Sequence, residues 1–274
     1  VLHEFIDEIA TSGNRFVLTS RYTARTLRLL RERPHRFEVI HVPPLSVEDT
    51  FDMLGPSTSG AHVRAAVDVH DAPDAHHAAD AADADDADFH ARTIQALGDG
   101  RASYIRCLID ELDAMRDRGG TDPISALVSQ LAAGGRLASL CEFSYELRLH
   151  RARGYGALKA ILDILGEDEG LTLTEISQRL QRTPGSTKDY LSWLEDVDLV
   201  TSRQKRYSFT DPLLRVWVRL HCRATAPTDD EVAREVHRYA LPRLPQTEPA
   251  LAMAAAGPTA PDEQKKAWGI IEID

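Results

Sequence analysis

The sequence predicts a mostly helical chain with three parts: a short α/β segment, an all-helical unit, and a helix-turn-helix unit that carries a β-hairpin. Three observations support this fold class. Residues 1–54 alternate helical and strand patterns in the order α-β-α-β-α. Residues 93–151 carry amphipathic helical patterns alone. Residues 155–220 follow the order helix, helix, turn, helix, hairpin, helix.

The α/β segment contains two short apolar runs, at 16–19 and 37–42, which are typical of strands buried on both faces of a parallel sheet. Helical patterns at 23–33 and 46–54 follow these two runs. We therefore assign residues 1–56 to the C-terminal half of an α/β domain. Its sheet is expected to be incomplete.

Residues 57–92 differ sharply in composition from the rest of the chain. Residues 61–92 hold twelve Ala, eight Asp and five His, with few large apolar residues. Such a segment buries little surface, so we predict an acidic linker that is either a solvated helix or disordered. Its histidines lack the fixed spacing of metal ligands in a packed frame, and we expect no metal site.

The helical unit is assigned to residues 93–153. Apolar residues recur there at helical spacing from Ser103 to Arg116, and Pro123 occupies the first position of a second helix. A Gly-Gly pair at 134–135 separates that helix from a third one. These patterns predict three amphipathic helices that share one core.

Residues 154–223 predict the winged form of the helix-turn-helix. Thr183-Pro184-Gly185 marks the turn before the expected recognition helix, and short strands surround a basic hairpin at 202–206. Residues 224–240 add one helix. Ser46 and Thr172 begin capping-box sequences, Thr228 caps the added helix, and Pro212 follows Asp211 at the start of another. The proline-rich and alanine-rich residues 241–274 are expected to form a disordered tail.

The amino-acid composition limits the kinds of binding partner and the location expected for the chain. The net charge is −11 and the pI is near 5.5, which disfavours a surface that grips nucleic acid everywhere but allows a local basic patch. Cys107, Cys141 and Cys222 are far apart in sequence, so we expect no disulfides and a cytoplasmic location. No apolar run is long enough to span a membrane, and no membrane partner is expected.

Three segments, at 16–21, 42–49 and 207–217, together resemble parts of the archaeal-type and STAND branches of the AAA+ P-loop ATPases. The first is similar to the sensor-1 strand, the second to the exit from the sheet, and the third to the wing and its following helix. The resemblance implies that residues 1–56 are a remnant of a P-loop NTPase sheet and that the helical unit is the lid.

The resemblance also implies nucleotide contacts. Arg21 would contact the γ-phosphate, with Thr19 and Ser20 as supporting hydroxyls, and Gly100 and Arg101 would lie near the adenine. On the residues alone, the favoured interpretation of Arg21 is a solvated loop residue. The stretch around Gly100 is equally consistent with an ordinary helix N-terminus.

The chain contains no GxxxxGK[ST] sequence, so nothing in it cradles phosphates in the way a P-loop does. We therefore expect a fragment of an ATP-binding signalling or regulatory protein that uses ATP and Mg²⁺ only together with an upstream half. By itself the chain is expected neither to bind ATP tightly nor to hydrolyse it.

The alternative hypothesis is a winged-helix DNA-binding transcription regulator. Its DNA contacts would come from Lys188 on the recognition helix and from Arg203, Lys205 and Arg206 on the wing. Acidic residues on the same helix, such as Asp189, would oppose it. A third alternative is an interaction module that has lost nucleotide chemistry and binds a protein partner or itself.

Overall fold

The computed structural model describes residues 2–20, 22–31, 37–55, 87–150 and 155–245. Helices dominate these residues, and their short strands lie in the second half of the chain. The helices are α1 Leu2–Thr11, α2 Thr23–Leu30, α3 Val47–Leu54, α4 (87–97), α5 Ala102–Arg116, α6 Pro123–Leu131, α7 Arg136–His150, α8 Tyr155–Glu167, α9 Leu173–Leu180, α10 Pro184–Asp196, α11 Pro212–His221 and α12 Asp229–Ala240. The strands are β1 Leu171–Thr172, β2 Val200–Arg203 and β3 Arg206–Phe209.

The predicted helix starts are confirmed by their caps. The sequence predicts helices after Ser46, Thr172 and Thr228, and each of these hydroxyls accepts the backbone N–H three residues later. The carboxylates at that third position accept the cap residue's own N–H in return, which completes a capping box. These backbone hydrogen bonds lower the pKa of the three carboxyls, Asp49, Glu175 and Glu231.

The small sheet has the strand order β1-β3-β2, and both pairings are antiparallel. The sequence analysis predicted the β2–β3 hairpin but not β1, because a strand of two residues has no readable periodicity. β1 lies between α8 and α9 and pairs Leu171 with Tyr207. The sheet therefore connects the segment before α9, which contains β1, to the hairpin that follows α10.

The helical unit and the winged helix share one core. A single cluster of buried apolar residues extends from Leu54 to Ala240. Helix α11 is central to it, because it packs against α7 of the helical unit, α8 of the helix-turn-helix and α12. Six of its ten residues are buried, including Leu213, Leu214 and Trp217. The predicted lid and the winged helix therefore do not have separate hydrophobic cores.

A buried carboxylate links the same two parts. Asp211, which is 2% exposed, begins α11 by accepting the backbone N–H groups of Leu213 and Leu214 at 3.1 Å each. Its other oxygen accepts the hydroxyl of Tyr104 on α5 at 2.7 Å. Burial, followed by the Asp211 charge, raises the pKa of that phenol. Arg101 adds a contact of 3.5 Å between Nε and Asp211 Oδ2.

The predicted strands at 16–19 and 37–42 were wrong. Neither segment forms a strand, and the described residues contain no strand before Leu171. Their apolar side chains are exposed rather than buried, as Val17 at 92%, Ile40 at 80% and Val42 at 90% show. An apolar run becomes a buried strand only where neighbouring strands pair with it and helices cover it. Hence the sheet remnant predicted for residues 1–56 is not confirmed.

Other predicted boundaries also changed. Residues 87–92 were assigned to the acidic linker, yet they belong to α4, in which Ala91, Ile94 and Leu97 are fully buried. The misassignment arose because alanine can occupy a tight helix contact without giving an apolar pattern. Most of the linker and nearly all of the predicted disordered tail (246–274) lie outside the described residues.

In the described part of the chain, no single helix is long and apolar enough to cross a membrane, and the pair α6 and α7, bent by 51°, passes by length and composition only.

Removing the Tyr104 hydroxyl tests the link between α5 and α11. Tyr104→Phe leaves one buried oxygen of Asp211 without its 2.7 Å donor. We expect the free energy of unfolding to fall by about 1.5–3 kcal/mol, measured by urea denaturation. Tyr155→Phe is the control, because the Tyr155 hydroxyl donates to Glu146 at 2.9 Å in an exposed setting and should contribute about 0.5 kcal/mol or less. Equal losses in the two variants would contradict the special role of Asp211.

A second prediction concerns the turn before α5, which contains Gly100. Gly100 has φ +64°, and a Cβ there would lie 2.6 Å from Pro44 Cβ. Gly100→Ala should cost more than about 2 kcal/mol of unfolding free energy, since strain and overlap combine. Gly119→Ala has φ +83° but open space, and about 1 kcal/mol is expected. Gly185→Ala, which has neither feature inside α10, should be neutral or stabilising.

Candidate functional site

Helices α9 and α10 form a helix-turn-helix. α9 ends at Leu180, and the next residue, Gln181, has a left-handed φ of 54° that turns the chain. Thr183 then caps α10, and Pro184 occupies its first turn. Leu191 and Leu194 bury the inner face of α10 against the core, so Lys188 and Asp189 are left exposed. The second helix of such a unit is the one that enters a DNA major groove.

The β2–β3 hairpin forms the wing. Its two-residue loop, Gln204-Lys205, has positive φ values of 52° and 63° at both positions. This is the geometry of a type I′ turn, which matches the twist of the flanking strands. β2 packs against α10, so the wing is attached directly to the recognition helix.

The four predicted DNA-contact residues are all exposed: Lys188, Arg203, Lys205 and Arg206. Within the described residues, the first three make no ion pair or side-chain hydrogen bond. Arg206 differs, because its Nη1 donates to the carbonyl of Gly170 at 2.6 Å and so braces the wing against β1. A further exposed cation, Arg182, was not among the predicted contacts and lies in the turn just before the recognition helix.

Helix α2 contacts the acidic C-terminal end of the recognition helix, α10. Arg28 donates through Nη1 to Asp196 Oδ2 at 3.0 Å, and its Nη2 lies 2.5 Å from Oδ1 of the same carboxylate. Two residues later, Asp198 Oδ2 accepts the backbone N–H of Thr23 at 2.7 Å, which caps the start of α2. Two acids that would otherwise repel phosphate are therefore engaged by the N-terminal segment.

The same turn also contacts the helical unit. Arg148 on α7 donates to the backbone carbonyl of Asp198 at 2.8 Å. Sequence reasoning missed these contacts because the partners are 50 to 175 positions apart in the chain. No local pattern links an arginine to a carboxylate over such a separation.

Four of the residues predicted to bind nucleotide lie in the described part of the chain: Thr19, Ser20, Gly100 and Arg101. Thr19 and Ser20 are exposed, and the Ser20 hydroxyl accepts the Tyr22 N–H at 3.1 Å and the Thr26 hydroxyl at 2.7 Å, near the start of α2. Arg21 lies outside the described residues. Their proposed contacts with ATP and Mg²⁺ stay a prediction.

Gly100 and Arg101 have structural partners. The Gly100 carbonyl accepts the Leu45 N–H at 2.7 Å. The Arg101 guanidinium donates to the Thr210 carbonyl at 3.2 Å and lies beside Asp211. Both residues therefore hold the start of α5 in place, and an adenine contact by them stays a prediction.

Across the described ranges, no group of three or more His, Cys, Asp or Glu side chains could hold a metal ion. Four of the five linker histidines lie outside those ranges, and His90 is the one that is described.

Comparison with known proteins agrees with the geometry. Residues 157–201 match the family described as winged helix-turn-helix DNA-binding, and the match covers α8, β1, α9, α10 and the first residues of β2. No curated protein and no solved structure matched the chain. No match to an AAA+ or STAND ATPase family was found. The chain thus contains a winged helix-turn-helix domain of the DNA-binding type.

Proposed function

We propose that the protein is a winged-helix DNA-binding regulator that contacts duplex DNA through α10 and the β2–β3 wing. The observation that carries this proposal is the set of exposed, unpaired cations on these two elements, in a domain that matches a DNA-binding family. Lys188 would contact the major-groove side, and Arg203 with Lys205 would contact phosphates or the minor groove beside the wing. This is the alternative hypothesis of the sequence analysis, and it has better support than ATP binding.

The acidic net charge does not oppose this proposal. A net charge of −11 describes the whole chain, whereas DNA binding depends on the local field at the contact surface. Arg28 and the capped end of α2 engage Asp196 and Asp198, so the recognition helix carries less effective negative charge than its sequence indicates. The remaining acids, Asp189 and Glu195, would limit affinity and favour selective contacts.

The wing cations make the first test. Lys205→Gly with Arg203→Gln removes two charges, and glycine suits the positive φ of position 205. With a labelled random-sequence duplex, we expect the slope of log K against log salt concentration to become shallower by about 2. The measurement is fluorescence anisotropy over a series of KCl concentrations.

Arg234→Gln is the matched control, because Arg234 is exposed on α12, away from the wing. Its salt slope should equal that of the parent protein. If the parent protein does not bind duplex DNA even at low salt, the proposed function is wrong. If all three proteins bind with one slope, the wing is not the contact surface.

The Arg28–Asp196 pair makes a second test. Arg28→Gln leaves the Asp196 charge uncompensated, so DNA affinity should fall about threefold. Adding Asp196→Asn should restore it, and a double-mutant cycle measures the coupling. Arg116→Gln is the control, since Arg116 pairs with Asp113 on α5 and should leave DNA affinity unchanged. An unrestored double variant would show that Arg28 acts in some other way.

A further inference from the structure

A cavity of about 580 Å³ lies where the helical unit meets the winged helix. Its walls come from the turn between α6 and α7, from α7 and α8, and from the end of α11. This volume lies in the range of small-molecule sites, which often form where two packed units meet. None of its lining residues belongs to the proposed DNA-contact surface.

The wall of the cavity is aromatic. Trp217 is tilted against Tyr145 with ring centroids 5.3 Å apart, and it stacks on His221 at 5.6 Å. Tyr145 is fully buried, and its hydroxyl has no nitrogen or oxygen partner within the described structure. The thiol of Cys222 is its polar neighbour. A buried hydroxyl whose polar neighbour is a thiol, a weak hydrogen-bonding group, is uncommon in native proteins.

The two cations at the cavity already have partners. Lys159 Nζ is 3.1 Å from Glu146 Oε1, and it also lies over the rings of Tyr145 and Tyr155 at 5.5 and 4.4 Å. Arg223 Nη1 is 3.9 Å from Glu231 Oε1. An anionic ligand would have to compete with these carboxylates.

Two carboxylates that line the cavity differ from these cations, because they have no ion-pair partner among the described residues. Glu142 on α7 and Asp163 on α8 face the cavity and make no ion pair with any described residue. Loss of hydration raises the pKa of the Asp163 carboxyl more than the Lys159 charge lowers it, so the counter-charge at Asp163 is incomplete. A cation between these two helices would supply that charge.

We propose that this cavity binds a small organic cation with an aromatic or aliphatic body. The ammonium group of the ligand would lie between Glu142 and Asp163, and its apolar body would lie against Tyr145 and Trp217. The Cys222 thiol, on a partly exposed residue, would contact a polar atom of the ligand. This binding is independent of the proposed DNA binding.

The test uses 2-phenylethylamine as the probe and the full chain as the protein. Two-dimensional NMR should show saturable shifts of the Trp217 indole signal as the amine is added. The neutral analogue 2-phenylethanol has the same body without the charge, and 3-phenylpropionate has the opposite charge. We expect the order amine, alcohol, carboxylate from tightest to weakest, because the unpaired groups of the site are anionic.

Variants locate the charge contact. Glu142→Gln and Asp163→Asn alter exposed side chains, so the fold should persist, and each should weaken amine binding about three- to fivefold. Glu167→Gln is the matched control, because Glu167 lies one turn after Asp163 on α8 and outside the cavity. Absence of saturable shifts, equal binding of the alcohol, or an equal loss in Glu167→Gln would each overturn the proposal.

Discussion

The arrangement of this protein depends on one buried carboxylate, Asp211. One of its oxygens satisfies the first backbone N–H groups of α11, and the other accepts the Tyr104 hydroxyl of α5. A buried charge is costly unless its hydrogen bonds are satisfied, so the carboxylate constrains both elements at once. Helix α11 is in turn the helix against which α7, α8 and α12 pack. The orientation of the winged helix on the helical unit thus rests on this group.

The C-terminal end of the recognition helix, α10, is also held in place. Its last residues contact α2 through Arg28 and Thr23, and the following turn contacts α7 through Arg148. These contacts affect both position and charge, because they fix the end of the helix and engage Asp196 and Asp198. An acidic chain can thereby present a basic wing and a recognition helix whose local charge differs from the average of the protein.

The cavity lies between the helical unit and the winged helix. Its walls belong to α7 of the helical unit and to α8 and α11 of the winged-helix half. Because Trp217 and His221 lie on the helix that Asp211 begins, the cavity and the buried network are connected through one rigid element. The surface assigned to DNA, on α10 and the wing, lies on different elements.

The sequence by itself determined the local elements. Capping residues at Ser46, Thr172 and Thr228, together with the Pro123 and Pro212 helix starts, placed these helices correctly because such signals act within four residues. Helical periodicity and the hairpin pattern then predicted the winged helix and its exposed cations. All of these features are short-range, and their physical causes can be read from neighbouring residues.

The tertiary structure decided what the local pattern could not. The apolar runs at 16–19 and 37–42 predicted strands, but pairing requires neighbours, and these segments have none within the described residues. The burial of Ala91, the Tyr104–Asp211 hydrogen bond and the Arg28–Asp196 pair all depend on residues brought together across the chain. Burial and charge neutralisation are properties of the packed neighbourhood, so sequence spacing alone does not reveal them.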